Sequence, residues 1–156
     1  MRLLKNYILM KIRFAQEKDV PQLVGLCALH AEYEQSGYDP TNKLEALKKH
    51  LFNSQNPVRC LVVETEGELM GYASFIKQFS TWDAGFYIYL DCLYLKESIR
   101  GHGIGTKLME QVKGYGISEG CHLVQWQTPD FNENAIAFYQ KLGASSKTKE
   151  RFFWTL

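Results

Sequence analysis

One segment constrains this chain more than any other: Arg100-Gly101-His102-Gly103-Ile104-Gly105-Thr106, set between two apolar runs of different period. The run before it, Phe86 to Leu95, is rich in aromatics and leucine and reads as a strand. The run after it carries Ile104, Leu108, Met109, Val112 and Tyr115 at helical spacing and predicts a helix to about Glu119. Alternating glycines weaken a helix start by about 1 kcal/mol for each one inside the helix, so their presence needs a reason. A strand feeding such a turn leaves the first N–H groups of the helix without intrahelical partners, and the helix dipole adds positive potential there. Glycine also lets a ligand approach the backbone with no Cβ in the way. The expected ligand is an anion that carries phosphates.

Two common phosphate folds do not fit. A dinucleotide fold places its glycines in the first strand–helix turn, with an acidic residue about twenty residues on. Here the glycines come two-thirds of the way along, and the next strand-like run ends in Gln125-Trp126-Gln127. A nucleotide P-loop needs a glycine-lysine pair followed by Ser or Thr, whereas Gly105-Thr106-Lys107 has the wrong order. Charge excludes other partners. With 18 basic and 17 acidic residues the chain lacks the basic excess of a nucleic-acid binder or an anionic-membrane binder. No apolar run is long enough to span a bilayer. Cys27, Cys60, Cys92 and Cys121 show no CxxC pair, so no metal site is expected. They read as reduced core thiols of a cytoplasmic protein.

At 156 residues the chain has room for one domain. Residues 1–9 mix charge and apolar groups and read as an N-terminal extension, with the domain at 10–156. The pattern predicts a strand over Lys11 to Ala15, then a helix that Asp19 can cap, with Pro21 in its first turn. A second helix is predicted from Lys43 to Phe52. Strands follow over Cys60 to Glu64 and Leu69 to Ile76, joined at Glu66-Gly67-Glu68. After the glycine turn and its helix, His122 to Gln127 reads as a strand. Asn132 to Leu142 reads as a helix stopped by Gly143. The tail, Arg151-Phe152-Phe153-Trp154-Thr155-Leu156, reads as a last strand.

Arg100-Gly101-His102-Gly103-Ile104-Gly105 resembles the R/Q-x-x-G-x-G/A signature of the GNAT acetyltransferases. Asn132-Glu133-Asn134-Ala135-Ile136-Ala137-Phe138-Tyr139-Gln140-Lys141-Leu142-Gly143 resembles the second motif of that superfamily, about thirty residues further on. The resemblance runs from about residue 11 to 156. It implies a GNAT-like α/β fold, with a single mixed, mostly antiparallel central sheet flanked by about four helices. It implies acetyl-CoA as co-substrate and a small-molecule primary amine as acceptor. The pyrophosphate would sit on the amides of Gly101, His102, Gly103, Ile104, Gly105 and Thr106, with Arg100 beside it. The pantetheine arm would lie along Leu93, Tyr94 and Leu95, with Asn132 and Ala135 on its other side. Dimers are common in the superfamily, so a homodimer is expected, with the aromatic tail as one means of pairing.

Acetyl transfer needs a neutral amine, a holder for the charge on the thioester oxygen and a proton for the leaving sulfur. The family position of Tyr139 implies a general acid, with Phe138 the better core residue. Asp91 is a charge inside an apolar strand, which is costly unless it is paired or functional. Its place resembles that of the Glu in the diamine (spermidine/spermine) acetyltransferase branch, so it is the candidate base, with a water relay because Asp is shorter. Tyr33 and Glu34 in Ala31-Glu32-Tyr33-Glu34 resemble that branch's substrate contacts, as do Trp82 and Asp83. Together, Glu34, Asp83 and Asp91 would make an acidic mouth for a cationic amine, and Gln127 is a further candidate substrate contact. His30, His50 and His122 read as structural. The competing expectation is a non-catalytic acyl-CoA-binding regulator, which would keep the glycine turn but need neither Tyr139 nor Asp91.

Overall fold

A computed structural model describes residues 10–156, so the predicted extension at 1–9 lies outside the described residues. The elements, in order, are β1 (Lys11–Phe14), α1 (Val20–Tyr33), α2 (Lys43–Leu51), β2 (Val58–Thr65), β3 (Glu68–Ser80), β4 (Gly85–Leu95), α3 (Ile104–Ser118), β5 (Val124–Gln125) and α4 (Glu133–Lys141). The strands form one sheet in the order β1-β2-β3-β4-β5. Neighbours from β1 to β4 are antiparallel, and β5 pairs with β4 in parallel. Glu66 and Gly67, both at positive φ, turn β2 into β3. That conformation matches the twist of the paired strands. The long β3–β4 hairpin continues to Ser80 opposite Gly85, beyond the predicted ends. Lys77, Gln78 and Ser80 break the apolar pattern there, but the backbone ladder does not depend on side-chain polarity.

Both faces of the sheet are covered. Leu61 and Val63 of β2, Ala73 and Phe75 of β3, and Ile88 and Leu90 of β4 pack against Ile104, Leu108, Met109 and Val112 of α3. Cys60 and Val62, one residue out of phase, point to the other face and meet Leu23 and Leu26 of α1, with Tyr72 and Tyr94. This is the two-residue alternation of a sheet buried on both sides.

One irregularity in β4 positions the site. Phe75 pairs with Leu90 but Ser74 pairs with Cys92, so Asp91 is skipped by the ladder. The bulge shifts the phase of the strand. Before it, Ile88 and Leu90 face α3. After it, Leu93 and Leu95 face α3, while Cys92 and Tyr94 face α1.

Four expectations need correction. The predicted strand at His122 to Gln127 shrinks to Val124–Gln125, because pairing with β4 ends at Tyr89 opposite Gln125. The tail at Arg151 to Leu156 forms no strand. Phe152, Phe153 and Trp154 are 90%, 80% and 93% exposed. Their strand-like composition has no neighbouring strand among the described residues to complete a ladder, and propensity alone does not hold a strand. Asp19 does not cap α1 with its side chain. Its buried carboxylate instead binds the Arg13 guanidinium at 2.7 and 3.0 Å and the Gln16 amide at 2.7 Å. The strand ends of β2 and β3 also extend beyond their apolar cores, to Val58 and Ser80.

The Arg13 bond holds the Asp19 carboxyl below its usual range. A depressed folded pKa stabilises above the unfolded value, near 3.9, and that contribution fades as pH falls through the folded value. Asp19→Asn should therefore lower stability by about 2 kcal/mol at pH 7. Urea unfolding should show the gap between variant and parent narrowing below about pH 4. An equal gap at pH 3 and pH 7 would contradict the ion-pair account.

Candidate functional site

The site begins where β4 loses its β5 neighbour. Beyond Tyr89 the β5-side edge of β4 runs on past the bulge to Leu95, and the chain then enters the glycine turn. Gly101 and Gly103 have φ of 79° and 77°, a region closed to most side chains. A Cβ at either would meet no protein atom, so the turn is kept open toward its outer side. Gly103 is also the N-cap of α3 and supplies no capping side chain to the first-turn amides. Gly105 is small for another reason. A Cβ there would lie 3.1 Å from Phe138, so the glycine lets α3 approach α4.

Arg100, Tyr33, Tyr94 and Asn132 converge on this edge. The Arg100 guanidinium lies 4.4 Å from the Tyr33 ring and 5.3 Å from the Tyr94 ring, a cation–π arrangement. Its Nε donates to the Leu95 carbonyl at 2.8 Å. Arg100 is thus anchored to the strand edge through its Nε. The Tyr33 hydroxyl donates to Asn132 Oδ1 at 2.9 Å, which joins the end of α1 to the start of α4. The same oxygen accepts from the Ala135 amide at 3.3 Å. Asn132 therefore serves as the N-cap of α4, a use that its place in the second motif did not disclose.

Tyr139 lies on α4 with its ring 5.0 Å from Trp126 and 5.2 Å from Phe138. Burial pushes its hydroxyl up to about 12, and nearby Glu34 and Tyr33 add to the rise. Glu34 and Tyr33 thus lie near enough to Tyr139 for their charges to act on it. Asp91 sits at the bulge and is exposed. The desolvation cost that the sequence attached to it is not incurred, because the bulge turns it out of the sheet. The Cys92 thiol lies 3.6 Å from Asp91 Oδ2. Gln127 donates to the Tyr89 hydroxyl at 3.3 Å, near the place where the two strands part.

Trp82 and Asp83 are not brought to this group. They occupy the tip of the β3–β4 hairpin, eight residues before Asp91, a strand length of about 26 Å. Trp82 is 94% exposed. The Asp83 carboxylate is bonded to the Ser80 hydroxyl at 2.8 Å and approaches His122 at 3.8 Å. A hollow of about 280 Å³ opens at the end of α1, but it shares only Tyr33 and Asn132 with the predicted residues. Among the described residues no group of three or more His, Cys, Asp or Glu side chains could hold a metal ion. None of their helices is long and apolar enough to cross a membrane. All four cysteines are free.

His30, read from the sequence as structural, belongs to a polar group that the sequence did not disclose. His30 on α1 lies between Tyr72, Tyr94 and Glu34. Its spacing of four from Glu34 was visible, but nothing in the sequence placed Tyr72 or Tyr94 beside it.

The fold is thus a mixed sheet with a bulged fourth strand, a parting fifth strand and a glycine turn that opens a helix. Residues 23–144 match the model of the acetyltransferase (GNAT) family, and the chain belongs to that family. It is 33% identical over 146 residues to a thialysine N-epsilon-acetyltransferase of Bos taurus, covering 88% of this chain and 85% of the relative. It is 24% identical over 154 residues to the spermidine/spermine N(1)-acetyltransferase-like protein 1 of Homo sapiens, covering 90% of this chain and 21% of that protein. An aminoglycoside N-acetyltransferase solved in complex with CoA shares the fold with a TM-score of 0.78 at 18% identity, covering 94% of each chain.

Proposed function

We propose that this protein transfers the acetyl group of acetyl-CoA to a primary amine of a small di- or polyamine-like or other amino compound, by direct attack in a ternary complex. The observation that carries this reading is the bulged β4. It leaves a strand edge at Leu93 to Leu95 facing the gap toward β5, and it leads straight into a turn whose outer side is kept clear. The residues fit acetyl-CoA as co-substrate. The amides of Gly101 to Thr106 would hold its pyrophosphate, and Leu93, Tyr94, Leu95 and Ala135 would flank its arm.

The roles follow from position. Asp91, exposed at the bulge, takes the amine proton directly or through water. Backbone N–H groups of β4 past the bulge hold the charge that grows on the thioester oxygen. Tyr139 enters the reaction protonated because burial keeps it so, and it donates to the departing sulfur. Tyr33, Glu34 and Gln127 line the amine side. A raised pKa means that the acid is retained as pH rises, so kcat should hold between pH 8 and 10. A CoA-thiol assay with a diamine tests this, and a fall in kcat centred near pH 9 would remove Tyr139 from the role.

The same reading includes a homodimer, a cytoplasmic location and neither nucleic acid nor membrane as partner. The exposed aromatics of the tail support pairing with a second copy. The free thiols suit a reducing compartment. Light scattering should give a dimer for the full chain and a monomer after removal of residues 151–156. A full-length monomer would overturn the assembly.

A further inference from the structure

The polar cluster at the end of α1 carries an assignment beyond these roles. The Tyr72 hydroxyl is buried, its residue only 3% exposed. A buried hydroxyl needs an acceptor for its proton. His30 Nδ1 lies 3.0 Å away, and the other neighbours of the hydroxyl are the thiols of Cys27 and Cys92, which are weak partners. Tyr72 therefore donates to Nδ1, which places the ring N–H on Nε2. Nε2 in turn donates to Glu34 Oε1 at 3.2 Å. The ring is fixed on two further sides. It stacks on Tyr94 at 5.4 Å and 28°, and it meets the edge of Tyr72 at 6.0 Å and 74°. Tyr94 is the same ring that carries the Arg100 guanidinium.

We infer that His30 is the positioning residue of the acceptor subsite, holding the Glu34 carboxylate in place for a second cationic group of the amine substrate. The chemistry favours a neutral donor for this task. Lys or Arg at position 30 would fix the carboxylate but cancel its charge, whereas an Nε2–H group fixes it and leaves the charge to the ligand. Tyr72 locks the tautomer, and Tyr94 links the carboxylate to the platform under Arg100. Glu34 is partly exposed, its side chain at 35%, and lies near Tyr139, so its charge faces the place where the acceptor would enter. The inference rests on the proposed reading of Glu34 as an acceptor-side group, and it adds a demand on the substrate: a second positive charge besides the reacting amine.

The test compares 1,4-diaminobutane with butylamine in steady-state kinetics of the full chain. His30→Asn keeps an acceptor near the Nδ1 position for Tyr72 but loses reach to Glu34. His30→Gln places an N–H near the Nε2 position. His30→Asn should raise KM for the diamine about tenfold, the loss of one hydrogen bond to a charged group. Its kcat, its KM for acetyl-CoA and its kinetics with butylamine should stay within about twofold. His30→Gln should recover most of the diamine KM. In the Glu34→Gln background, His30→Asn should add nothing, since its route of action is gone. An equal effect on both amines, or full additivity with Glu34→Gln, would overturn the inference and leave His30 a packing residue. A Glu34→Gln effect with His30→Asn silent would overturn it while leaving Glu34 in its role. A silent Glu34→Gln would remove both.

Discussion

Tyr139→Phe should lower kcat about a hundredfold while the affinity for acetyl-CoA changes less than twofold, the range of a lost general acid. The substitution removes one oxygen and keeps the ring, so the packing against Trp126 and Phe138 survives. The hydroxyl is buried and its pKa is pushed up to about 12, so the group holds its proton throughout the working range. A thiol near 8.5 is the weaker base, so the hydrogen bond to the developing thiolate, rather than early transfer, supplies most of the help. Kinetics with saturating amine, beside calorimetric binding of acetyl-CoA, separate the two quantities. A tenfold loss of affinity at unchanged kcat would show Tyr139 holding the cofactor arm instead.

Gly103→Val should weaken acetyl-CoA binding at least about a hundredfold, the worth of one or two charge-assisted hydrogen bonds. At φ 77° a β-branched side chain is a backbone outlier. The turn then either shifts its amides or puts a side chain into the space kept clear outside it. No protein atom lies within 4 Å of the added Cβ, so the damage falls on the ligand side rather than on the core. The fold should survive with at most about 3 kcal/mol of strain, which thermal unfolding can verify. Titration calorimetry of the folded variant decides the point. Unchanged affinity would move the pyrophosphate away from this turn.

The helices and the sheet were largely legible, because their apolar residues repeat at 3.6 and at 2. The bulge was legible in part. Ile88 and Leu90 share one phase and Leu93 and Leu95 the other, with an acid at the break. That pattern marks a register skip, yet Asp91 was read as a buried charge. Long-range side-chain contacts were less accessible. Arg100 over the Tyr33 ring, and the Tyr33 hydroxyl on Asn132, join segments more than sixty residues apart in sequence at one edge. The failed last strand has a different cause. A strand needs a neighbour, and composition gives only its willingness to pair. Trp82 and Asp83 were grouped with Glu34 by resemblance, but the β3–β4 ladder runs on to Ser80 opposite Gly85, past the predicted strand ends, and carries them to the hairpin tip, away from Asp91 at the bulge.

Product analysis by mass spectrometry tests the central claim most directly. The purified chain is incubated with acetyl-CoA and one amine at a time: diamines, polyamines, thialysine, aminoglycosides and a peptide pool. The expected result is a monoacetylated small amine formed in step with free CoA, fastest with acceptors that carry a second positive charge. Acetyl-CoA bound tightly with no amine acetylated would contradict catalysis and leave an acyl-CoA-binding protein built on the same fold.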